Sequence, residues 1–168
     1  SCALAAELLA EVTGEDPEIA YTVGLLHAAG IVAIDEWARE KAPSLLFMSR
    51  DSLNDFLPSK NELLGCSQAE VGAALLQRWA LPATMVDPVR WQNSPENAAG
   101  SPLMASLLHA AKWLRTVVCI DDDFLAPPLP EDAELRPLRL TAGDLALLVV
   151  DLRIRLGRVR NLVEMPVA

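Results

Sequence analysis

With 168 residues, 52% of them apolar, the chain has the size and the side chains for one packed domain. Its formal charge of −9 repels phosphate backbones and anionic lipid, which counts against nucleic acid or a membrane surface as the main partner. Cys2, Cys66 and Cys119 lie far apart and in no C-x-x-C spacing, so neither a disulfide framework nor a zinc knuckle is expected, and a reducing cytoplasm fits best. The longest wholly apolar run, Leu145 to Val150, is far short of the ~20 residues of a membrane span, and no charged-then-apolar leader precedes it.

Residues 1–13 are rich in helix formers and stop at Gly14. The chain opens directly in helical sequence, as a fragment of something longer would. Asp16 before Pro17 is a favoured cap followed by a favoured first-turn residue. In the helix they start, Ile19, Val23 and Leu26 share one face, and Tyr21, Leu25 and Ala28 share another. Gly30 is expected to break or bend it, with Ile31 to Trp37 continuing as a short amphipathic helix before Pro43. Residues 43–66 have no clean period and read as a short helix or two inside a connecting segment. Ser67 with Glu70 makes a capping box. The helix it opens should carry Val71, Leu75, Leu76 and Trp79 toward a core, while Ala69, Gly72 and Ala73 let a neighbouring helix come close.

Leu81-Pro82 punctuates the chain, and a helix from about Pro82 toward Trp91 should kink near Asp87, where Pro88 crowds the carbonyl of Thr84. After a turn at Ser94, Pro95 and Asn97, Pro102 opens a helix with Leu103, Leu107, Leu108, Ala111, Leu114, Val117 and Val118 at helical spacing. Asp121, Asp122 and Asp123 close it, either as a solvated helix end or as a lure for a divalent cation. Residues 121–140 hold Pro127, Pro128, Pro130 and Pro137 among acids and read as an extended linker that spaces and does not pack. Thr141 caps the last helix, with Leu145, Leu148, Leu152, Leu156 and Val159 as its apolar stripe. No segment has a strand period, so the expected fold is all-α: a helical domain over residues 1–120, a proline-rich acidic linker over 121–140, and a C-terminal helix over 141–168 packing on the bundle.

Gly24-Leu25-Leu26-His27-Ala28-Ala29-Gly30, then Gly65-Cys66-Ser67-Gln68-Ala69-Glu70-Val71-Gly72-Ala73, then Trp79-Ala80-Leu81-Pro82, resembles in order and spacing the HDOD family, a signalling offshoot of the HD-superfamily hydrolases. The resemblance covers about residues 1–113. It implies an HD-superfamily-like helical bundle of the kind found in bacterial signal-transduction proteins, often beside receiver or cyclic-dinucleotide domains, with an N-terminal helical half that this chain does not contain.

In the active superfamily an adjacent His-Asp pair and further histidines hold a metal. The resemblance places His27-Ala28 at the pair, Gln68 at the downstream histidine, and Gln92-Asn93 at the two histidines that often follow the Trp-Leu-Pro helix. Neutral amides bind divalent ions weakly and supply no general base, so no metal, no cofactor and no catalytic residue are expected. His27, Gln68, Gln92 and Asn93 could line a vestigial pocket that reads a small polar ligand; the plainer alternative is a core histidine and ordinary surface or capping amides. His109, in Leu107-Leu108-His109-Ala110-Ala111, reads as structural. Arg153, Arg155, Arg158 and Arg160 either compensate the last helix's dipole or form a docking surface for a protein partner.

No phosphate-cradling glycine loop, paired catalytic carboxylates or Ser or Cys nucleophile beside a histidine motif is present. Three functions remain open: a non-catalytic regulatory module that binds a partner protein or a small signal; a metal-dependent phosphohydrolase of a nucleotide or cyclic dinucleotide, with missing ligands supplied from elsewhere; and an oligomerisation fragment. The missing N-terminal helices would leave apolar faces to cover, which points to a homodimer or a swapped assembly.

Overall fold

The computed structural model describes residues 1–42, 64–119 and 127–163. Helix α1 (Cys2–Thr13) ends where Gly14 turns left-handed, φ 80°, and donates its N–H to the Ala10 carbonyl. Asp16 caps α2 (Pro17–Leu26) by accepting from the amides of Glu18 and Ile19. Helix α3 (Ala29–Lys41) follows after a turn at His27 and Ala28. The break expected at Gly30 therefore falls earlier, and the helix runs past Trp37 to Lys41. By length and composition alone the α2–α3 stretch could cross a membrane, but it is split at this turn, and Ala20, Val23, Ile34 and Ala38 are buried in the protein. Most of the connecting segment read over residues 43–66 lies outside the described residues.

Ser67 and Glu70 form the expected capping box at the start of α4 (Gln68–Arg78): the hydroxyl accepts from the Glu70 amide, and the carboxylate accepts from the Ser67 amide at 2.7 Å. Helix α5 (Ala83–Arg90) runs through Pro88 without a break. Asp87, the residue before that proline, turns its carboxylate to the next element and accepts from the amides of Gly100 and Ser101, which pins the start of α6 (Pro102–Cys119) to α5. A short helix α7 (Asp132–Leu135) and a 3-10 turn (Arg136–Leu138) lead to α8 (Ala142–Val163), whose start is fixed by a second reciprocal pair, Thr141 and Asp144.

Among the described residues there is no strand, and the fold is an all-α bundle. Helix α6 is its axis: α1, α5 and α8 pack on it, α2 lies on α1, and α3 lies on α4. Leu8 and Leu9 of α1, Leu107, Leu108 and Leu114 of α6, and Leu145 and Leu152 of α8 are fully buried together. Each such side chain is worth roughly 1.5–3 kcal/mol of burial.

Two expectations about packing are corrected. Trp79 faces solvent and is 55% exposed, because α4 stops at Arg78 and the chain turns at Ala80, φ 58°. The face that α4 buries is the small one, Ala69, Gly72 and Ala73 with Leu76. The linker read over residues 121–140 does pack from residue 127 onward. Leu135 and Leu138 join the main core, and the Pro128 carbonyl accepts from the Trp113 indole at 2.7 Å. Proline composition signals an extended chain, but two leucines three apart are enough to seat it.

Helix α3 meets α4 in close backbone contact at Gly30. A Cβ on Gly30 would lie 1.8 Å from the Gln68 carbonyl oxygen and 2.7 Å from the Gly72 nitrogen, both backbone atoms that cannot yield alone. Gly30→Ala must push the two helices apart and should destabilise by roughly 1–3 kcal/mol or more in urea denaturation. Gly157→Ala is the converse. A Cβ there meets nothing within 4 Å, in the middle of α8, and the same measurement should show a gain of about 0.5–1 kcal/mol from helix propensity.

Candidate functional site

The site lies where the C-terminal end of α2, the turn after α5 and one face of α6 converge. His27 sits at the end of α2, and its Nδ1 donates to the Gly24 carbonyl at 2.7 Å. That bond makes the neutral ring an Nδ1–H tautomer. Burial holds the His27 pKa below the usual histidine range, and the cations of Lys112 and Arg115 push the same way, while the bond to Gly24 opposes them.

Gln92 is wholly buried. Its amide nitrogen donates twice, to the His27 carbonyl at 3.0 Å and to the Val89 carbonyl at 2.9 Å. Its own backbone carbonyl accepts from Nδ1 of His109 on α6 at 3.0 Å, and the far nitrogen of that ring lies 3.5 Å from a Glu134 carboxylate oxygen. Asn93, the next residue, is exposed, and its side-chain oxygen accepts from the Lys112 ammonium. Gln68 is buried at the first position of α4, and its backbone carbonyl presses on Gly30. The side-chain oxygens of Gln68 and Gln92 are both buried and accept no hydrogen bond among the described residues.

Of the four residues placed in one pocket by the sequence, His27 and Gln92 are in direct contact, and Asn93 joins them through the chain and through Lys112. The backbone of Gln68 lies against Gly30 of α3, and no hydrogen bond joins Gln68 to the other three among the described residues. The arginines of α8 divide. Arg155 forms a two-pronged pair with Glu11 of α1, at 2.6 and 3.0 Å, and lies 3.6 Å from Asp151, so it ties α8 to α1. Arg153, Arg158 and Arg160 are exposed. Arg153 and Arg160 border a cavity of about 620 Å³ with Leu156, Val159, Val118 and Cys119.

Sequence reading missed Lys112 and Glu134. The trace of Lys112 was there: it is the one charged residue in Leu107-Leu108-His109-Ala110-Ala111-Lys112-Trp113-Leu114, a helix stretch otherwise headed for the core. It is half-buried, and burial lowers its pKa to about 8. Burial also pushes the thiol of the neighbouring Cys2 up to about 11.

These groups do not fit a hydrolytic divalent ion. Its ligands should be imidazoles and carboxylates, yet Ala28 offers a methyl, Gln92 a neutral amide whose nitrogen is given to two carbonyls, and Lys112 a positive charge. Among the described residues no three His, Cys, Asp or Glu side chains gather closely enough to hold a metal.

The model of the HDOD domain matches residues 1–95. Among solved structures, a candidate phosphohydrolase from Shewanella amazonensis SB2B is 30% identical, with a TM-score of 0.65 over 90% of this chain and 55% of its own. An HDOD domain protein of unknown function from Geobacter sulfurreducens is 24% identical and shares the fold, with a TM-score of 0.68 over 98% of this chain and 59% of its own. The chain thus spans less than two thirds of either structure. No curated protein matches it.

Two measurements check the site. Gln92→Ala leaves the carbonyls of His27 and Val89 without their donor and should cost about 1–3 kcal/mol in denaturant. For Lys112 the folded state disfavours the charged form, so the unfolded chain binds the extra proton between pH 8 and 10.5, and this residue's contribution to stability rises with pH over that window. Below pH 8 Lys112→Met should therefore be the more stable chain, by on the order of 1–3 kcal/mol. That advantage should shrink toward pH 10.5 when the two chains are compared by urea denaturation with reductant present.

Proposed function

We propose that this chain, which belongs to the HDOD family, is a non-catalytic regulatory module of cytoplasmic signal transduction that binds a partner protein or a small signal. What supports the reading is the use made of the polar groups at the positions where the active HD superfamily carries metal ligands. Gln92 is committed to the backbone of α2 and α5, the Nδ1 of His27 to its own helix, and Asn93 to a lysine. A general base needs a free basic atom and a nearby acid to hold it; a metal-activated water needs an ion held by negative charge. Amides and a methyl group supply neither, and the Nε2 of His27, the one basic atom left open at these positions, is a single ligand without a cluster of acids or imidazoles around it among the described residues. The exposed Arg153, Arg158 and Arg160 on α8 offer an acidic protein partner a surface, since arginine is favoured at interfaces.

The likeness to a candidate phosphohydrolase favours a second reading, in which ligands from outside this chain complete a metal site around His27. Hydrolysis of bis(p-nitrophenyl) phosphate in the presence of Mn or Fe separates the two. The regulatory reading expects no rate above buffer and no stoichiometric transition metal by elemental analysis of the purified protein. Metal-dependent turnover that His27→Ala abolishes would establish the second reading in its place.

A further inference from the structure

The sign of the charge at the site points away from a cation. Among the described residues neither Lys112 nor Arg115 forms an ion pair, although the whole chain carries a formal charge of −9. The carboxylate that does reach this region, Glu134, faces His109. We propose that the Lys112 ammonium, with the Asn93 amide bonded to it and the Arg115 guanidinium one turn further along α6, forms a binding site for a small oxyanion of the phosphate class. The inference rests on the regulatory reading and names the kind of signal it would take.

Geometry and donor count carry it. Lys112 and Arg115 are three apart on α6 and so project from one face. The ammonium has three N–H donors and gives one to the Asn93 oxygen, which leaves two, while Asn93 keeps its NH2 group as a further donor. The guanidinium of Arg115 is exposed and presents a planar fork suited to two oxygens of one phosphate. Lys112 is half-buried, where its charge is less screened by salt than on an open surface. Burial already works against that charge, and an arriving anion would offset it. A free small molecule can reach such a recessed ammonium, where the flatter face of a phosphorylated protein would touch only Arg115 and Asn93.

The test is a titration of the isotopically labelled chain with inorganic phosphate, and separately with sulfate, at constant ionic strength in chloride. The expected result is saturable amide shifts confined to the neighbourhood of Asn93, Lys112 and Arg115. Lys112→Met, which keeps the aliphatic stem, should weaken binding by about tenfold or more, as loss of a charge-assisted hydrogen bond does. Lys112→Arg should bind within about threefold of the parent, and thermal unfolding of both variants confirms that they fold. Shifts that do not saturate, that map to the α8 arginines, or that survive Lys112→Met unchanged overturn the proposal. The hydrolysis assay is read independently: turnover with Lys112-dependent phosphate binding would end the regulatory reading and leave the anion site standing, whereas absence of both turnover and binding would do the reverse.

Discussion

The buried amide of Gln92 is the interaction on which the rest of the site depends. One nitrogen with two hydrogens closes the end of α2 onto α5, and the backbone of the same residue receives the imidazole of α6. Among uncharged side chains only the amides of Gln and Asn can donate two bonds from a single atom. A histidine in its place would carry one donor per nitrogen and could not hold both carbonyls at once. Gln92 therefore fixes the geometry of His27, His109 and Asn93 together, and it does so with a neutral amide where a metal ligand would be an imidazole or a carboxylate.

The second constraint is the near-contact of α3 and α4 at Gly30 and Gly72. Without side chains at the crossing, the two backbones approach closely enough for the start of α4 to press on the start of α3, just beyond His27. The polar groups of Gln68 are carried inward by that approach, and its side-chain oxygen ends up buried without a donor among the described residues. Close packing of small residues and burial of an amide are two sides of one arrangement here.

Much of the fold was legible from local chemistry. The Ser67–Glu70 box, the Asp16 cap and the Gly14 stop each act within four residues, and each marks a real helix end. What was illegible depends on distant parts of the chain. The packing of Leu135 and Leu138 is invisible in a segment whose prolines and acids dominate its composition. The spacing of Trp79 continues the apolar series of α4 and points it inward; Leu81-Pro82 marks that the helix must stop nearby but not that it stops at Arg78, which leaves Trp79 in solvent. At the site, the resemblance brought out His27, Gln92 and Asn93, but their partners are mostly backbone carbonyls, which leave no mark on side-chain identity. Lys112 stood out only as a charge among apolar neighbours, and its meaning needed the turn carrying Asn93 to be laid against it.

The seating of residues 127–140 bears on where this protein can be divided. The match to the family stops at residue 95, yet the leucines of α6 and α8 share one interior with Leu135 and Leu138, and the Trp113 indole is held by a proline carbonyl from beyond that boundary. A polypeptide trimmed to the matched region would expose the inner faces of α1 and α5 to water. The packed core is thus longer than the stretch that the family model matches, and the C-terminal third closes its wall rather than hanging from it as an appendage.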